Sequence, residues 1–149
     1  MARVVAQRVT SASVSVGGEV IGQIHQGLLL LVGVREGDDE DAVERVADKV
    51  AVMRIFGDAD GKMNLSAADI GGSMLAVSQF TLYADLKKGR RPSFVRAAEP
   101  ETGSRLYEHF IARLEGHGYK VERGSFGAHM LVSLENDGPV TIVLDSDEL

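Results

Sequence analysis

The feature that most limits the fold is the uninterrupted apolar run at residues 27–34, "GLLLLVGV". Its length is that of a β-strand, and it is far too short to cross a bilayer as a helix. A strand that is apolar on both sides must be covered on both faces. The sequence therefore predicts a sheet whose interior strand is buried above and below.

Strand patterns precede this run, and helical patterns follow it. "VSVGGEVIGQI" places two alternating runs around Gly17-Gly18, a two-residue hairpin signal. From Asp38 toward Gly57, apolar residues recur at helical spacing behind an acidic first turn. A second helix is expected over Glu101 to Glu115. Its apolar face consists of Leu106, Phe110, Ile111 and Leu114.

Further strands are expected on either side of the second helix. "SMLAVSQFTLYA" at 73–84 comes before it, and "YKVERG", "HMLVSL" and "VTIVLD" come after it, while 57–72 is rich in turn formers. The 149 residues contain no repeat or linker and suit one core. We therefore expect a single α/β domain over 1–149, with a mixed or antiparallel sheet and two main helices.

Composition excludes several classes of protein. The chain has no cysteine, so it has no disulfide, thiolate zinc site or cysteine nucleophile. The opening residues alternate too strongly for a signal peptide, so a cytoplasmic protein without a membrane segment is expected. The net charge of -6 argues against binding a long stretch of DNA duplex.

One segment has the opposite charge. Residues 86–96 contain no carboxylate and carry Lys87, Lys88, Arg90 and Arg91. Two interpretations remain open from charge alone: a solvated loop, or a local contact with phosphate.

The sequence lacks the familiar catalytic and metal-binding signatures. It has no G-x-S-x-G, H-E-x-x-H, P-loop or Rossmann motif. The four histidines show no ligand-like spacing; they are His25, His109, His117 and His129. We therefore expect no metal and no cofactor, and no evident pair of acid and base side chains.

Three stretches are unusual for a plain scaffold. If "VSQFTLYAD" is a strand, Gln79, Thr81 and Tyr83 share one face, which either faces solvent or forms a site. In "RRPSF", Phe94 either stacks on a base or caps the core. In "ENDGPVT", Gly138-Pro139 has the chemistry of a turn between two strands.

Together these stretches resemble one known family. "SQFT" at 78–81, "GRRPSF" at 89–94 and "NDGPVT" at 136–141, behind the opening "RVVAQRV", occur in the order and spacing of the D-aminoacyl-tRNA deacylases. The resemblance covers residues 1 to about 146. It implies a barrel-like fold and a cytoplasmic homodimer. Such an enzyme hydrolyses the ester between a D-amino acid and the 3′-terminal adenosine of mischarged tRNA, a proofreading reaction.

The resemblance also implies the site, which lies at the dimer interface. It assigns Ser78, Gln79, Phe94 and Met130 to the substrate pocket and Phe80 and Thr81 to the catalytic segment. It assigns chiral selection to Gly138 and Pro139 of the partner chain, joined by a cis peptide bond, with Arg8 bracing their loop. Phosphate contact falls to Lys87, Lys88, Arg90 and Arg91.

Two catalytic schemes fit these residues. Thr81 could act as a nucleophile, but no histidine or lysine is near it in sequence to activate it. Alternatively, backbone N–H groups near Phe80 and Thr81 stabilise the oxyanion while the ribose 2′-hydroxyl helps to activate water. We favour the second scheme. A rigid Gly-Pro would reject L residues by clash, so glycyl esters should also be cleaved.

Two rival functions remain. One is a non-catalytic module of this fold that binds an RNA 3′ end or a nucleotide. The other is an editing domain for a different misacylated tRNA. The intact "SQFT" and "GPVT" segments favour hydrolysis.

Overall fold

The computed structural model describes residues 1–149 as a six-stranded mixed sheet, a separate two-stranded sheet and two helices. The strands are β1 (Arg3–Val16), β2 (Glu19–Ile24), β3 (Gly27–Gly33), β4 (Phe56–Gly57), β5 (Met63–Leu65), β6 (Ser73–Ser78), β7 (Val121–Arg123) and β8 (Leu131–Asp145). The helices are α1 (Glu40–Val52) and α2 (Pro100–Gly116), and short 3-10 turns cover Phe80–Tyr83 and Ser146–Glu148. Neither α1 nor α2 has the length and apolarity needed to cross a membrane.

The long strand β1 organises the sheet. Its first half pairs with β3, its second half with β2, and β8 runs antiparallel along nearly its whole length. β3 and β6 are parallel, as are β6 and β7, while β4 and β5 form a separate small hairpin. The predicted Gly17-Gly18 hairpin is confirmed between β1 and β2.

The sheet is covered by helices on one face and closes on itself on the other. In β3, Leu28 and Leu30 face the large core under α1 and α2, while Leu29 lies in a second cluster inside the curved sheet. A Cβ on Gly22 of β2 would lie 2.9 Å from Arg123 O of β7, so the sheet nearly closes. The predicted α/β fold with a barrel-like mixed sheet is confirmed.

A bulge in β1 allows this strand to contribute buried side chains to both hydrophobic clusters. Val9 pairs with Asn136 and Ser11 with Glu135, so Thr10 has no partner. Before the bulge the odd-numbered Val9 faces the barrel interior, and after it the even-numbered Ala12 and Val14 do.

Both helices occupy the segments expected from periodicity. Asp39 caps α1 by accepting from Ala42 N at 3.0 Å, which explains the acidic start of the pattern. α1 ends at Val52, earlier than Gly57, because β4 begins at Phe56. The buried face of α2 contains Leu106, Phe110, Ile111 and Leu114, as predicted.

The expected strand over 73–84 is wrong beyond Ser78. Gln79 N makes the last bond toward β3, to Val32 O at 2.8 Å, and β3 itself ends at Gly33. Without a neighbouring strand, the chain forms a 3-10 turn over Phe80–Tyr83. Gln79, Thr81 and Tyr83 therefore share no strand face: Tyr83 is fully buried, whereas Thr81 is exposed.

The chain reversal expected at Gly138-Pro139 is also wrong, although strand lies on both sides of it as predicted. Gln7 pairs with Thr141 and Val9 with Asn136, so both halves of β8 run in the same direction beside β1. Residues 137–140 leave the ladder opposite Arg8 and return to it. The chain does not reverse because one neighbouring strand holds it on both sides of this loop.

Candidate functional site: an aromatic cavity beside the 3-10 turn

A cavity of about 310 Å³ opens where β3 and β6 end. Its walls come from six parts of the chain: the end of β3, the end of β6, the 3-10 turn, the segment after the basic loop, the first two turns of α2 and the loop before β8. The lining residues are Val32, Val34, Ser78, Gln79, Phe80, Phe94, Ala97, Ala98, Pro100, Gly103, Tyr107, Phe126 and Gly127. The surface is mainly apolar and aromatic, which suits a flat ring system.

The "SQFT" segment supplies one wall because the strand ends inside it. Ser78 is the last residue of β6, and Gln79 and Phe80 then turn along the cavity. The Phe80 side chain is 56% exposed and meets Phe94 edge to face, with ring centroids 5.0 Å apart. Four predicted site residues are thus brought together: Ser78, Gln79 and Phe94 of the expected pocket and Phe80 of the expected catalytic segment.

Thr81 lies beside the cavity without lining it. The Gln79 side-chain amide donates a hydrogen bond to the Thr81 hydroxyl, so the nearest polar neighbour of that hydroxyl is a neutral amide. His109 and His117 pair with Glu44 and Asp48 between the two helices, away from this site.

The 3-10 turn also presents backbone donors. Its first hydrogen bond runs from Leu82 N to Gln79 O at 3.2 Å. The N–H groups of Phe80 and Thr81 precede that bond, and the first N–H groups of a helical turn have no acceptor within it. They are therefore available to an oxygen atom placed beside the turn.

Two aromatic residues of the cavity were not predicted from the sequence. Tyr107 donates from its hydroxyl to Ala76 O at 2.7 Å, and burial raises its pKa to about 12, so it stays neutral and fixes the wall. Phe126 stands opposite Gly103, whose hypothetical Cβ would lie 3.3 Å from the Phe126 ring. Tyr107 belongs to the buried face of α2, which a helical pattern can reveal, whereas Phe126 lies in a loop without periodic signal.

The basic segment is a loop at the edge of the cavity. Asp85 and Ser93 close its base through two backbone hydrogen bonds of 2.8 Å, and Phe94 enters the cavity wall directly after it. All four predicted cations are exposed, and none makes a salt bridge within the chain; they are Lys87, Lys88, Arg90 and Arg91. Their charges remain available to an anion.

Gly138 and Pro139 are exposed, and they do not line the cavity of their own chain. Arg8 opposes their loop and pairs with Leu28, whereas the cavity is lined by Val32, four residues further along β3. That spacing is about 13 Å at the rise of a strand. The Gly138-Pro139 peptide is cis, as the resemblance implies.

Arg8 holds the base of this loop. It donates from Nε to Asp137 O at 2.9 Å and from Nη1 to Ile55 O at 2.7 Å, and its Nε lies 3.6 Å from the Asp137 carboxylate. The Asp137 charge is therefore largely directed toward Arg8. Gly138 has φ +140°, and a Cβ there would lie 2.7 Å from Val140 Cγ2.

The predicted pocket residue Met130 has a different position in the structure. Met130 does not line the cavity; it packs against the barrel interior, and its sulfur accepts from Ser125 N at 3.3 Å. It thus lies beneath the loop that carries Phe126.

No three histidine, aspartate or glutamate side chains cluster in a way that could hold a metal ion.

Comparison with known proteins gives a consistent result. The family model described as D-Tyr-tRNA(Tyr) deacylase matches residues 5–145. A D-aminoacyl-tRNA deacylase of Lactobacillus delbrueckii subsp. bulgaricus is 59% identical over 143 residues, covering 96% of this chain and 99% of the relative. One from Thermomicrobium roseum is 59% identical over 147 residues, covering 99% and 96%.

Solved structures share the fold. The c-Myc DNA unwinding element binding protein is 39% identical with a TM-score of 0.89, over 96% of this chain and 97% of that one. A probable eukaryotic D-amino acid tRNA deacylase is 18% identical with a TM-score of 0.82, over 97% and 98%. The second likeness supports the fold alone.

Proposed function

This chain belongs to the D-Tyr-tRNA(Tyr) deacylase family, and from that membership we propose how its residues carry out the reaction. The protein is an enzyme that hydrolyses the ester of D-aminoacyl-tRNA, a proofreading step in translation. Release of the D-amino acid leaves the tRNA free for correct charging.

The cavity beside the 3-10 turn takes the 3′ end of the aminoacyl-tRNA. The observation that carries this assignment is the position of "SQFT", which gives the cavity both an aromatic wall and two free backbone donors. Phe80, Phe94 and Tyr107 offer flat apolar surfaces to the terminal adenosine. Gln79 offers a polar group at the same edge.

Backbone N–H groups act on the ester in this scheme. As the carbonyl becomes tetrahedral, its oxygen gains negative charge, and the N–H groups of Phe80 and Thr81 donate to it. The attacking water forms a new bond to the carbonyl carbon and passes a proton, by way of the ribose 2′-hydroxyl, to the 3′-oxygen of the tRNA, which leaves as the ester bond breaks. Thr81 is an unsuitable nucleophile because its neighbour Gln79 is a neutral amide that accepts no proton at physiological pH.

Selection against L residues falls to Gly138 and Pro139 of a second copy. Within one chain this loop and the cavity are apart, so the two would meet only in a homodimer. β8 supports such an assembly, because it pairs with β1 alone and exposes Leu131 at 63% and Val143 at 60%. The partner's loop would fill the direction that an L side chain needs.

The charge of the basic loop indicates how the enzyme contacts the rest of the tRNA. The four free cations of the basic loop bind phosphates near the tRNA 3′ end, as expected for an otherwise acidic protein. The enzyme acts in the cytoplasm as a single domain, without a cofactor or metal.

The test compares three substrates on the purified protein: D-tyrosyl-, L-tyrosyl- and glycyl-tRNA. D-tyrosyl-tRNA should be hydrolysed rapidly, glycyl-tRNA measurably, and L-tyrosyl-tRNA no faster than in buffer. Binding without turnover of any ester would favour the non-catalytic module. Glycyl-tRNA as inert as L-tyrosyl-tRNA would contradict selection by clash alone.

A further inference from the structure

The side chain of Asn136 closes the loop that carries Gly138 and Pro139. Asn136 Oδ1 accepts a hydrogen bond from Val140 N at 2.7 Å, and Asn136 Nδ2 donates to Val140 O at 3.1 Å. Both backbone groups of Val140 are thus bound by one side chain. The amide occupies the place that a neighbouring strand holds in an ordinary ladder.

This closure is needed because the loop leaves the sheet. Between the Gln7–Thr141 and Val9–Asn136 pairs, one residue of β1 faces four residues of β8. The backbone groups of those four residues lose their regular partners, and a loop without partners samples many conformations. Asn136 returns two of the lost hydrogen bonds at the point where the loop rejoins β8.

Arg8 and Asn136 hold opposite ends of the loop. Arg8 fixes Asp137 O at 2.9 Å, while Asn136 fixes Val140. Gly138 and Pro139 lie between these two points, and the remaining contact of the Asn136 amide, from Nδ2 to Thr141 Oγ1 at 3.2 Å, is at the same end of the loop as Val140. The direction of their carbonyl groups therefore depends on both ends being held.

We propose that Asn136 is a positioning residue that sets the D-over-L selectivity of the deacylase by holding the Gly138-Pro139 loop in one conformation. This inference rests on the proposed role of that loop. Selection by clash requires stiffness, because a loop that yields would admit the L side chain it should reject. Loss of the clamp should thus raise hydrolysis of the wrong substrate more than it lowers hydrolysis of the right one.

Asparagine is the residue type that this contact requires. Its side chain offers one donor and one acceptor side by side, matching the C=O and N–H of Val140. Aspartate has the same shape but would place an oxygen against Val140 O. Alanine offers neither group.

The experiment measures kcat/KM for D-tyrosyl- and L-tyrosyl-tRNA with Asn136→Ala and Asn136→Asp. Asn136→Ala loses both hydrogen bonds, and Asn136→Asp keeps the acceptor for Val140 N but sets an oxygen against Val140 O. The D/L ratio should therefore fall at least about tenfold in both variants, mainly through a higher rate on the L ester. Glu135→Ala is the control: Glu135 precedes Asn136 on β8, and its side chain accepts from Thr10 at 2.9 Å without touching the loop. Its ratio should stay within about twofold of wild type.

The outcomes separate this inference from the proposed function. A wild-type protein that hydrolyses D-tyrosyl-tRNA selectively, with an unchanged ratio in both variants, would refute the clamp and leave the function intact. A wild-type protein without selectivity would refute the role of the loop itself. Thermal unfolding identifies a misfolded Asn136→Ala, in which case the isosteric Asn136→Asp decides.

Discussion

At the scale of single residues, the site uses the backbone where many hydrolases use side chains. Thr81 has the only hydroxyl in the 3-10 turn that opens onto solvent, yet its contact is the Gln79 amide. Tyr107 is held neutral by a pKa of about 12 and by its bond to Ala76 O. The residues around the cavity therefore offer shape and hydrogen bonds rather than proton transfer.

Thr81→Ala should consequently retain substantial activity, within about tenfold of wild type, because its N–H group is unaffected. A tRNA that ends in 2′-deoxyadenosine should instead be cleaved very slowly by the wild-type enzyme. Both are measured as single-turnover deacylation of D-tyrosyl-tRNA. Normal substrate binding with abolished turnover in Thr81→Ala would show that the hydroxyl is the nucleophile.

At the scale of elements, the charged side chains of the basic loop are unpaired, whereas most of those of the two helices form ion pairs. The four free cations of the loop lie beside the cavity, whereas the charged groups of α1 and α2 largely neutralise one another. Arg113 donates to both oxygens of Asp48 at 2.8 and 2.9 Å, and His117 Nε2 lies 2.8 Å from the same carboxylate. Substrate attraction and helix packing are therefore separable by mutation.

Replacing Lys87 and Lys88 with Gln should weaken tRNA binding and its dependence on salt. Each lost phosphate contact should reduce the slope of log KM against log salt by about 0.7 to 0.9, while kcat stays near wild type. Lys49→Gln with Lys120→Gln is the matched control, since it removes two charges that are also outside salt bridges. Equal slopes in the two double variants would mean that the loop makes no specific contact with tRNA.

Asp48→Asn should destabilise the protein at neutral pH. The hydrogen bond from Arg113, followed by that from His117, holds the pKa of Asp48 well below its usual range. A carboxyl whose folded-state pKa is lowered contributes stability above its unfolded pKa, and this is lost as the pH falls toward the folded value. Because the side chain is 41% exposed, the loss should be under about 1 kcal/mol at pH 7.

The measurement is thermal unfolding of wild type and Asp48→Asn from pH 7 down to pH 2. The difference between them should narrow below about pH 4, where the carboxyl of the unfolded wild-type chain becomes protonated. Asp41→Asn, which breaks a more exposed pair with Arg45, is the control and should have a smaller effect. A difference that grows on acidification would contradict this assignment.

At the scale of the whole molecule, the proposed site needs two copies of the chain. Gly138→Ala should inactivate the loop, because its Cβ would meet Val140 Cγ2 at 2.7 Å and Val140 N at 2.9 Å at a positive φ. Ala97→Trp should block the cavity. A mixed dimer of the two variants would then contain one site built from the intact cavity of one copy and the intact loop of the other.

Co-expression of the two variants with different affinity tags gives that mixed dimer. Through its one open cavity, the mixed dimer should hydrolyse D-tyrosyl-tRNA at about half the wild-type rate and reject L-tyrosyl-tRNA, whereas Gly138→Ala alone should cleave both esters and Ala97→Trp alone neither. A mixed dimer that cleaves L-tyrosyl-tRNA as readily as Gly138→Ala does would show that each chain uses its own loop. Failure of the two tags to copurify would contradict the homodimer.

The sequence predicts the parts of the fold that depend on local periodicity. β3, α1 and α2 follow from apolar spacing, and the aromatic wall formed by Phe80 and Phe94 lies where the motifs place it. The 3-10 turn does not follow from its own residues, because β6 stops only where β3 stops. Phe126 reaches the cavity through tertiary contacts that no pattern in its loop records.

The Gly138-Pro139 segment likewise has one property that the sequence predicts and one that depends on tertiary contacts. Its composition correctly indicates a departure from regular strand. The direction that the chain takes after the loop depends on pairing with β1, which lies more than 120 residues away in the chain. The sequence for that reason predicts Asn136 as part of a turn, whereas in the structure its side chain binds Val140 at the far end of the loop.

The unpaired Thr10 in β1 gives this protein a different tolerance for deletions than for substitutions. The bulge reverses which side of the strand faces the barrel, so Ala12 and Val14 point inward only while one residue is in excess. Exchange of the exposed Thr10 side chain should cost little. Deletion of the same residue would leave composition almost unchanged, yet it would shift every following side chain of β1 to the opposite face.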